Sequence, residues 1–290
     1  MPYDLAGKPI VITGAGSGIG KATALACAQA GMPVALAGRR APLLDEVCTE
    51  ITKAGSQAIV VPTDVADPAQ AQALIRATVQ AFGSVYAVFA NAGYGLRGEV
   101  HKLPDKAIRD IFETNFFGSL NVLRPALEYM LERTNSSAKS MRVRCRAGLP
   151  IAPQGHLLMC ASCLSKIGTP YTAPYSASKA LQDHFGRAMR HELGPKGIAV
   201  STVHPIGTRT PFFATAAGRS AEDATDNLSA PRLFTQSPQR VANAVVRCLG
   251  KPRGEVWTSL PVRVALAFAT ACPRSADRLI ARRLRKKNSD

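Results

Sequence analysis

Aromatic residues are scarce in this chain of 290: one Trp, six Tyr and ten Phe make up 6% of it. That is too thin for the stacking platforms that bind single-stranded nucleic acid, and no known nucleic-acid module accompanies it, so specific nucleic-acid binding is not expected. Acidic residues are also in short supply, with 20 Asp and Glu against 36 Lys and Arg and a formal charge of +16. Long apolar runs are missing. The longest uncharged stretch near the C-terminus, Val264 to Cys272, falls well short of the roughly 20 residues a spanning helix needs. The opening Met1-Pro2-Tyr3-Asp4 reaches Gly14 without a basic-then-apolar leader, so export is not expected. Seven widely spread cysteines do not make a disulfide framework and fit a reducing, cytoplasmic setting.

Hydrophobic residues at 46% and charged residues at 19% are a globular balance, which excludes wholesale disorder. The positive charge is concentrated. Residues 139–146 carry +4 and residues 274–290 carry +5, which leaves a mildly basic domain with two basic appendages.

Short apolar runs alternate with longer amphipathic ones. Strands are expected over 9–13, 33–37, 57–61, 85–90, 156–161, 198–203 and 255–259. Helices are expected over 18–30, 41–53, 68–82, 175–194 and 238–249. Apolar strands of about five residues separated by helices imply βαβ crossovers and an α/β fold. The expectation is one doubly wound, Rossmann-like parallel sheet of about seven strands with helices on both faces. One domain then spans residues 1–260, with a basic tail over 261–290. Residues 134–154 read as an irregular insertion between a helix and a strand, too long for an ordinary connection. Residues of about 206–237 read as a lid over the C-terminal edge of the sheet.

The run Thr13-Gly14-Ala15-Gly16-Ser17-Gly18-Ile19-Gly20 follows the first strand and opens the first helix. Glycines permit the tight turn and let backbone N–H groups approach a pyrophosphate at the helix N-terminus. The second strand ends in Ala37-Gly38-Arg39-Arg40, where an NAD site usually carries a carboxylate for the ribose. Glycine followed by arginine favours the 2′-phosphate of NADP instead. Asp64-Val65, past the third strand, suits an adenine contact, or else Asp64 caps the helix near Pro68. Tyr175 and Lys179 lie four residues apart and so share one helix face. An ammonium there favours the phenolate and is expected to lower the tyrosine pKa, giving a group able to exchange protons near neutrality.

Ser162 precedes that pair by 13 residues, Asn91-Ala92-Gly93 ends the fourth strand, and Asn115 follows in a long helical region. In combination and in this order, the motifs resemble the short-chain dehydrogenase/reductase family from about Lys8 to Thr258. The resemblance implies a general acid/base at Tyr175 and a Lys179 that tunes it and binds the nicotinamide ribose. It further implies that Ser162 hydrogen-bonds the substrate oxygen and that Asn115 holds a water relaying protons through Lys179. Asn91, Ala92 and Gly93 would shape the cofactor side of strand four, and Thr210, after Pro205, would contact the nicotinamide carboxamide. Pro205-Ile206-Gly207 departs from the family's Pro-Gly, which leaves the placement of Thr210 open by a residue. The resemblance also implies a homodimer or homotetramer built through the helices carrying Asn115 and Tyr175.

The expected activity is hydride transfer between NADP(H) and a carbonyl or secondary alcohol. The candidate pocket residues Tyr94, Leu96, Leu164, Ile167, Tyr171, Phe212 and Phe213 suggest a hydrophobic substrate. The alternatives are a silent NADP-binding sensor or scaffold, which would show a damaged set of catalytic residues, and a membrane-surface adaptor acting through the basic segments. No metal site is expected: Cys160-x-x-Cys163 lacks a second pair, and His184 and His191 read as surface or interface residues. For the tail, a docked terminal helix with a charged end is favoured over peripheral contact with an anionic membrane.

Overall fold

The computed structural model describes residues 2–146, 153–210, 212 and 235–287, with side chains placed through 133 in the first stretch and through 282 in the last. Seven strands form one parallel sheet in the order β3-β2-β1-β4-β5-β6-β9. They are β1 (Ile10–Thr13), β2 (Val34–Gly38), β3 (Ala58–Pro62), β4 (Ala87–Ala90), β5 (Gly155–Cys160), β6 (Ile198–His204) and β9 (Glu255–Trp257). The doubly wound parallel sheet expected from the sequence is therefore present. The order reverses between β1 and β4, and a ligand crevice opens at such a switch point, outside the strands' C-terminal ends.

The strands are apolar throughout because both faces are covered. Alternate side chains feed opposite cores. Ile10, Ile12, Phe89 and Leu158 pack on one face against Ala24 and Leu249 of α1 (Gly18–Gln29) and α7 (Pro238–Gly250). Val11, Val88, Leu157 and Met159 pack on the other against Leu74 of α3 (Pro68–Phe82) and Leu123 of α5 (Gly118–Arg146). Helix α2 (Ala41–Lys53) covers the first face through Leu44, Val47 and Ile51.

Three features differ from the expectation. Helix α5 continues to Arg146, so the first part of the supposed irregular insertion is helical. No Gly or Pro interrupts residues 134–146, and Ala, Lys, Met and Arg there are good helix formers. Helix α4 (Asp105–Phe112) runs into a π-helical turn, Glu113–Phe117, before α5 begins. The base of the expected lid is tied by two short parallel strands, β7 (Gly207–Thr208) and β8 (Thr235–Gln236). The rest of that segment, Phe213 included, lies outside the described residues.

After β9 the chain forms α8 (Leu260–Ala271) and α9 (Pro273–Lys287). Among the described residues, no helix is long and apolar enough to cross a membrane.

Candidate active site

The turn from β1 into α1 needs its glycines. Gly14 and Gly18 have φ of 65° and 56°. A Cβ on Gly20 would fall 2.1 Å from the Gly14 carbonyl oxygen and 2.8 Å from Asn91 Nδ2. Thr13 joins this turn to β4: its Oγ1 accepts from the N–H groups of Asn91 and Ala92 at 3.0 and 2.9 Å, and its carbonyl accepts from Asn91 Nδ2 at 2.9 Å. Ser17 begins α1 without a side-chain cap, and the first turn holds no acid. An uncapped helix N-terminus reached through a glycine turn is suited to an anion.

Two arginines add to it. Arg40 Nη2 donates to Ser17 Oγ at 3.2 Å, which sets the guanidinium beside the turn. Arg39 lies 4.0 Å from the Asp64 carboxylate. Asp64 does not cap α3; Asp67 does, accepting from the N–H groups of Ala69 and Gln70. Asp64 instead accepts from Ala66 N–H at 3.0 Å, and buried Val65 touches the start of α5 near Gly118. A cleft of about 500 Å³ runs past Arg39, Asp64, Tyr94 and Leu96. Thr210 stands over the glycine turn, close enough that a Cβ on Gly18 would meet its Cγ2 at 3.0 Å. Pro205 accepts from Cys163 N–H at 3.0 Å, which ties the end of β6 to the turn after β5. These residues fit a nicotinamide dinucleotide: a tight anion-binding turn and a helix N-terminus, with a guanidinium at the end of β2.

At the other end of the crevice the four candidate catalytic residues come together. Helix α6 (Ala173–Leu193) carries Tyr175 and Lys179 on one stripe. Ser162 caps the short 3-10 turn Cys163–Lys166 that follows β5, with its Oγ accepting from Leu164 N–H at 3.1 Å. The Ser162 side chain lies close enough to the Tyr175 hydroxyl to act on its proton affinity. Buried Lys179 donates to the Cys160 carbonyl at 2.7 Å and to Gln182 Oε1 at 2.9 Å, and its Nζ lies 5.9 Å from the Tyr175 ring centre. Burial pushes the Tyr175 phenol well above the usual tyrosine range, partly offset by the neighbouring Ser162 side chain. Burial likewise holds Lys179 below the ordinary lysine value. The lowered tyrosine pKa expected from the sequence is therefore not what this structure shows. The cause is burial, together with an ammonium already committed to two acceptors.

Asn115 sits in the π-helical turn, a distortion that often marks functional positions. Both of its amide protons are used: Nδ2 donates to the Tyr94 carbonyl and Ser178 Oγ, each at 3.0 Å, while Oδ1 accepts from Tyr94 N–H at 2.9 Å. Gly93 beside it leaves no room for a Cβ, which would fall 2.8 Å from Asn115 Oδ1. The link from Asn115 to Lys179 runs through a buried amide. Gln182 Nε2 donates to the Asn115 carbonyl at 2.7 Å, while Gln182 Oε1 takes the Lys179 hydrogen bond.

Of the candidate pocket residues, Tyr94 and Leu96 form a small apolar cluster that Tyr175 packs against. Phe212 lies 5.6 Å from the Tyr175 ring, centre to centre. Leu164 and Ile167 are half-buried on and after the serine turn. Tyr171 is exposed, with φ of 63° in the left-handed region that side chains rarely adopt. His184 and His191 are exposed, as expected. Burial pushes both Cys160 and Cys163 thiols up.

Sequence reasoning missed the group behind the serine turn. His204, fully buried at the end of β6, stacks on Trp257 with ring centres 4.5 Å apart. Its Nδ1 lies 3.1 Å from the Ser162 carbonyl, and its Nε2 lies 3.4 Å from Asp183 Oδ1 and 3.1 Å from Thr202 Oγ1. Asp183 continues the stripe of Tyr175 and Lys179 one turn further along α6. Lys166, the last residue of the serine turn, pairs with Asp183 at 2.5 Å and with Glu255 at 3.0 Å. Asp183, His204 and Glu255 come within 4.8 Å of one another, and the Lys166 ammonium already supplies the positive charge to both carboxylates. Only Asp183 had a local signal, its i+4 spacing from Lys179; His204, Lys166 and Glu255 are joined by tertiary contacts alone.

A parallel doubly wound sheet, a glycine-rich anion turn at its switch point and a Ser-Tyr-Lys group beside it define a nicotinamide-type oxidoreductase. The short chain dehydrogenase family profile matches residues 8–220, and the chain belongs to that family. It is 29% identical over 282 residues to the ketoacyl reductase HetN of a Nostoc species, covering 95% of this chain and 88% of that one. It is 30% identical over 285 residues to dehydrogenase/reductase SDR family member 7B of Mus musculus, covering 96% and 81%. Among solved structures, a short-chain dehydrogenase/reductase from Burkholderia phymatum in complex with NAD superposes with a TM-score of 0.76 at 25% identity, covering 91% of this chain and 93% of that one. A 3-ketoacyl-ACP reductase from Sinorhizobium meliloti gives 0.70 at 28%, covering 86% and 96%. The chain is an oxidoreductase of this family, acting on the CH–OH/C=O couple.

Proposed function

We propose that the protein is an NADP(H)-dependent reductase of hydrophobic carbonyl compounds, with Tyr175 as its general acid. The placing of the Lys179 ammonium against the Tyr175 ring, anchored on the Cys160 carbonyl two residues before Ser162, carries this reading. When bound, the nicotinamide supplies or accepts the hydride. Gly14, Gly16, Ser17, Gly18, Ile19 and Gly20 would hold the pyrophosphate at the N-terminus of α1, with Arg39 and Arg40 on the 2′-phosphate. Asp64 and Val65 would border the adenine, Asn91, Ala92 and Gly93 the ribose side, and Pro205 and Thr210 the nicotinamide end.

The remaining chemistry belongs to this chain's side chains. Ser162 and Tyr175 hydroxyls would donate to the carbonyl oxygen, which polarises the bond and takes up the charge that develops there. A phenol raised by burial keeps its proton at neutral pH, as a donor to that oxygen must. Lys179, with its charge fixed beneath the ring, would favour the phenolate left after proton transfer. Tyr94, Leu96 and Phe212 around Tyr175 favour an apolar substrate. Ketoacyl chains are the first carbonyls to test, since two of the similar proteins are ketoacyl reductases. The exposed rings of Phe117 and Phe185, grouped with Phe116, favour assembly into a homodimer or homotetramer through this face. The cysteines with described side chains are free thiols, in keeping with a cytoplasmic setting.

Fluorescence titration with NADPH and NADH, followed by a panel of ketones and ketoacyl esters read at the nicotinamide absorbance, tests the assignment. NADPH should bind more tightly than NADH, and Tyr175→Phe should lower turnover about 10²–10⁴-fold with binding retained. Failure to bind either cofactor overturns the reading. Binding without turnover on any carbonyl favours the silent sensor instead.

A further inference from the structure

Strand β9 leaves the sheet at the edge that carries the site and leads directly into α8. The inner side of α8 rests on the serine turn: Val262, Leu266 and Ala269 are half-buried, Thr270 Oγ1 donates to the Lys166 carbonyl at 3.3 Å, and Arg263 lies 3.9 Å from Glu255. The outer side is uncovered among the described residues. Leu260, Val264 and Phe268 recur at i, i+4 and i+8, which aligns them in one stripe, and they are 66%, 62% and 63% exposed. No residue of α8 is fully buried. Scattered exposed apolar side chains need no explanation, but an aligned stripe on a nearly uncharged helix does.

Charge decides what covers it. Residues 260–287 contain eight Lys and Arg and a single acid, Asp277. Arg274, Arg278 and Arg282 of α9, the helix that follows directly, are exposed, and Leu279 adds a further exposed apolar side chain on it. A second copy docked through this face would bring two such basic helices together, and like charges at close range oppose that. The 12-residue α8 is about 18 Å long, too short to cross a bilayer. A bilayer surface with anionic headgroups offers both missing partners at adjacent depths: an acyl boundary for the stripe and negative charge for the arginines.

We propose that α8 and α9 dock the protein on an anionic lipid surface, with Leu260, Val264 and Phe268 in the interface and the α9 arginines at the headgroups. The sequence alone favoured a terminal helix docked on its own domain; the aligned, uncovered stripe reverses that preference. Because α8 seats on the turn that Ser162 caps, the crevice is held beside the membrane. The docking stands independently of the reaction assigned above.

Co-sedimentation of the full chain with phosphatidylcholine vesicles, with and without phosphatidylglycerol, tests this. Binding should need phosphatidylglycerol and fade as salt is raised. The pairs Val264→Asn with Phe268→Asn, and Arg278→Glu with Arg282→Glu, should each weaken it about tenfold or more, with circular dichroism and elution volume unchanged. Three results would overturn the proposal: no pelleting with anionic vesicles at low salt; pelleting insensitive to the apolar pair, which is plain charge adsorption; or a smaller oligomer in the apolar pair, which assigns the stripe to a second copy.

Discussion

The Asp183 carboxylate takes the Lys166 ammonium at 2.5 Å, and this contact joins the helix of Tyr175 and Lys179 to the turn that Ser162 caps. His204 tightens the same joint by lying between Asp183 and the Ser162 carbonyl. The two hydroxyls proposed to meet one substrate oxygen are thus held by a shared, largely buried ion network.

Asp183→Asn should loosen that joint. It leaves Lys166 with Glu255 alone and His204 with a neutral neighbour, so the expected loss is about 2–3 kcal/mol, below the full value for a wholly buried pair because Lys166 is partly exposed. Burial pushes the carboxyl up, yet the His204 hydrogen bond and Lys166 outweigh that and bring it down to about 2. A depressed carboxyl stabilises the fold above its unfolded value and loses this as pH falls through its folded one. The wild-type contribution should therefore be complete above about pH 4, fade towards pH 2 and be missing at all pH values in Asp183→Asn. Urea melts across that range check it.

Arg40 is the residue to change for cofactor choice. Its guanidinium already sits on Ser17 at the turn, where a 2′-phosphate would add charge-assisted hydrogen bonds. Arg40→Ser should weaken NADPH about 10- to 100-fold, equivalent to roughly 1.5–3 kcal/mol, and leave NADH within about twofold. Equal losses for both nucleotides would mean that Arg40 only shapes the turn.

The sheet and its helices were legible because their signals are local. The bounds of α2 and α3 are set by Pro in the first turn and by the last apolar residues of each face, and they fall where the sequence places them. The Tyr175–Lys179 spacing and the glycine run were legible for the same reason. Helix α5 beyond residue 133 was misjudged because polar composition was read as irregularity although nothing there breaks a helix. The His204–Asp183–Lys166–Glu255 network was invisible because its members come from β6, α6, the serine turn and β9. The direction of the Tyr175 shift was also out of reach, since spacing reveals the ammonium but not the burial that opposes it.

Gly20→Ala tests the anion turn by steric means. The added methyl would lie 2.1 Å from the Gly14 carbonyl oxygen, so backbone must move. We expect a loss of about 1–3 kcal/mol in stability and more than about tenfold in affinity for either nucleotide. Gly194→Ala, where a Cβ meets nothing within 4 Å, is the matched control and should bind normally. Thermal melts and fluorescence titrations separate the two effects.

His156 lies on β5 within the sheet and gives a separate pH signature. It is fully buried on β5, with Nε2 2.7 Å from Ser201 Oγ. Ser201 already donates to the Arg253 carbonyl at 2.6 Å, so its oxygen accepts from the imidazole, and the neutral Nε2–H tautomer satisfies the pair. Burial pushes the imidazole down to about 3. Below about pH 6.5 the unfolded chain binds a proton here that the folded chain refuses. Stability should therefore fall with decreasing pH by up to about 1.4 kcal/mol per unit between roughly pH 6.5 and 3. His156→Leu should flatten that slope by the contribution of one proton while costing stability near pH 8, where the lost Ser201 hydrogen bond is the main term. An unchanged slope in the variant would show that the acid sensitivity arises from other groups.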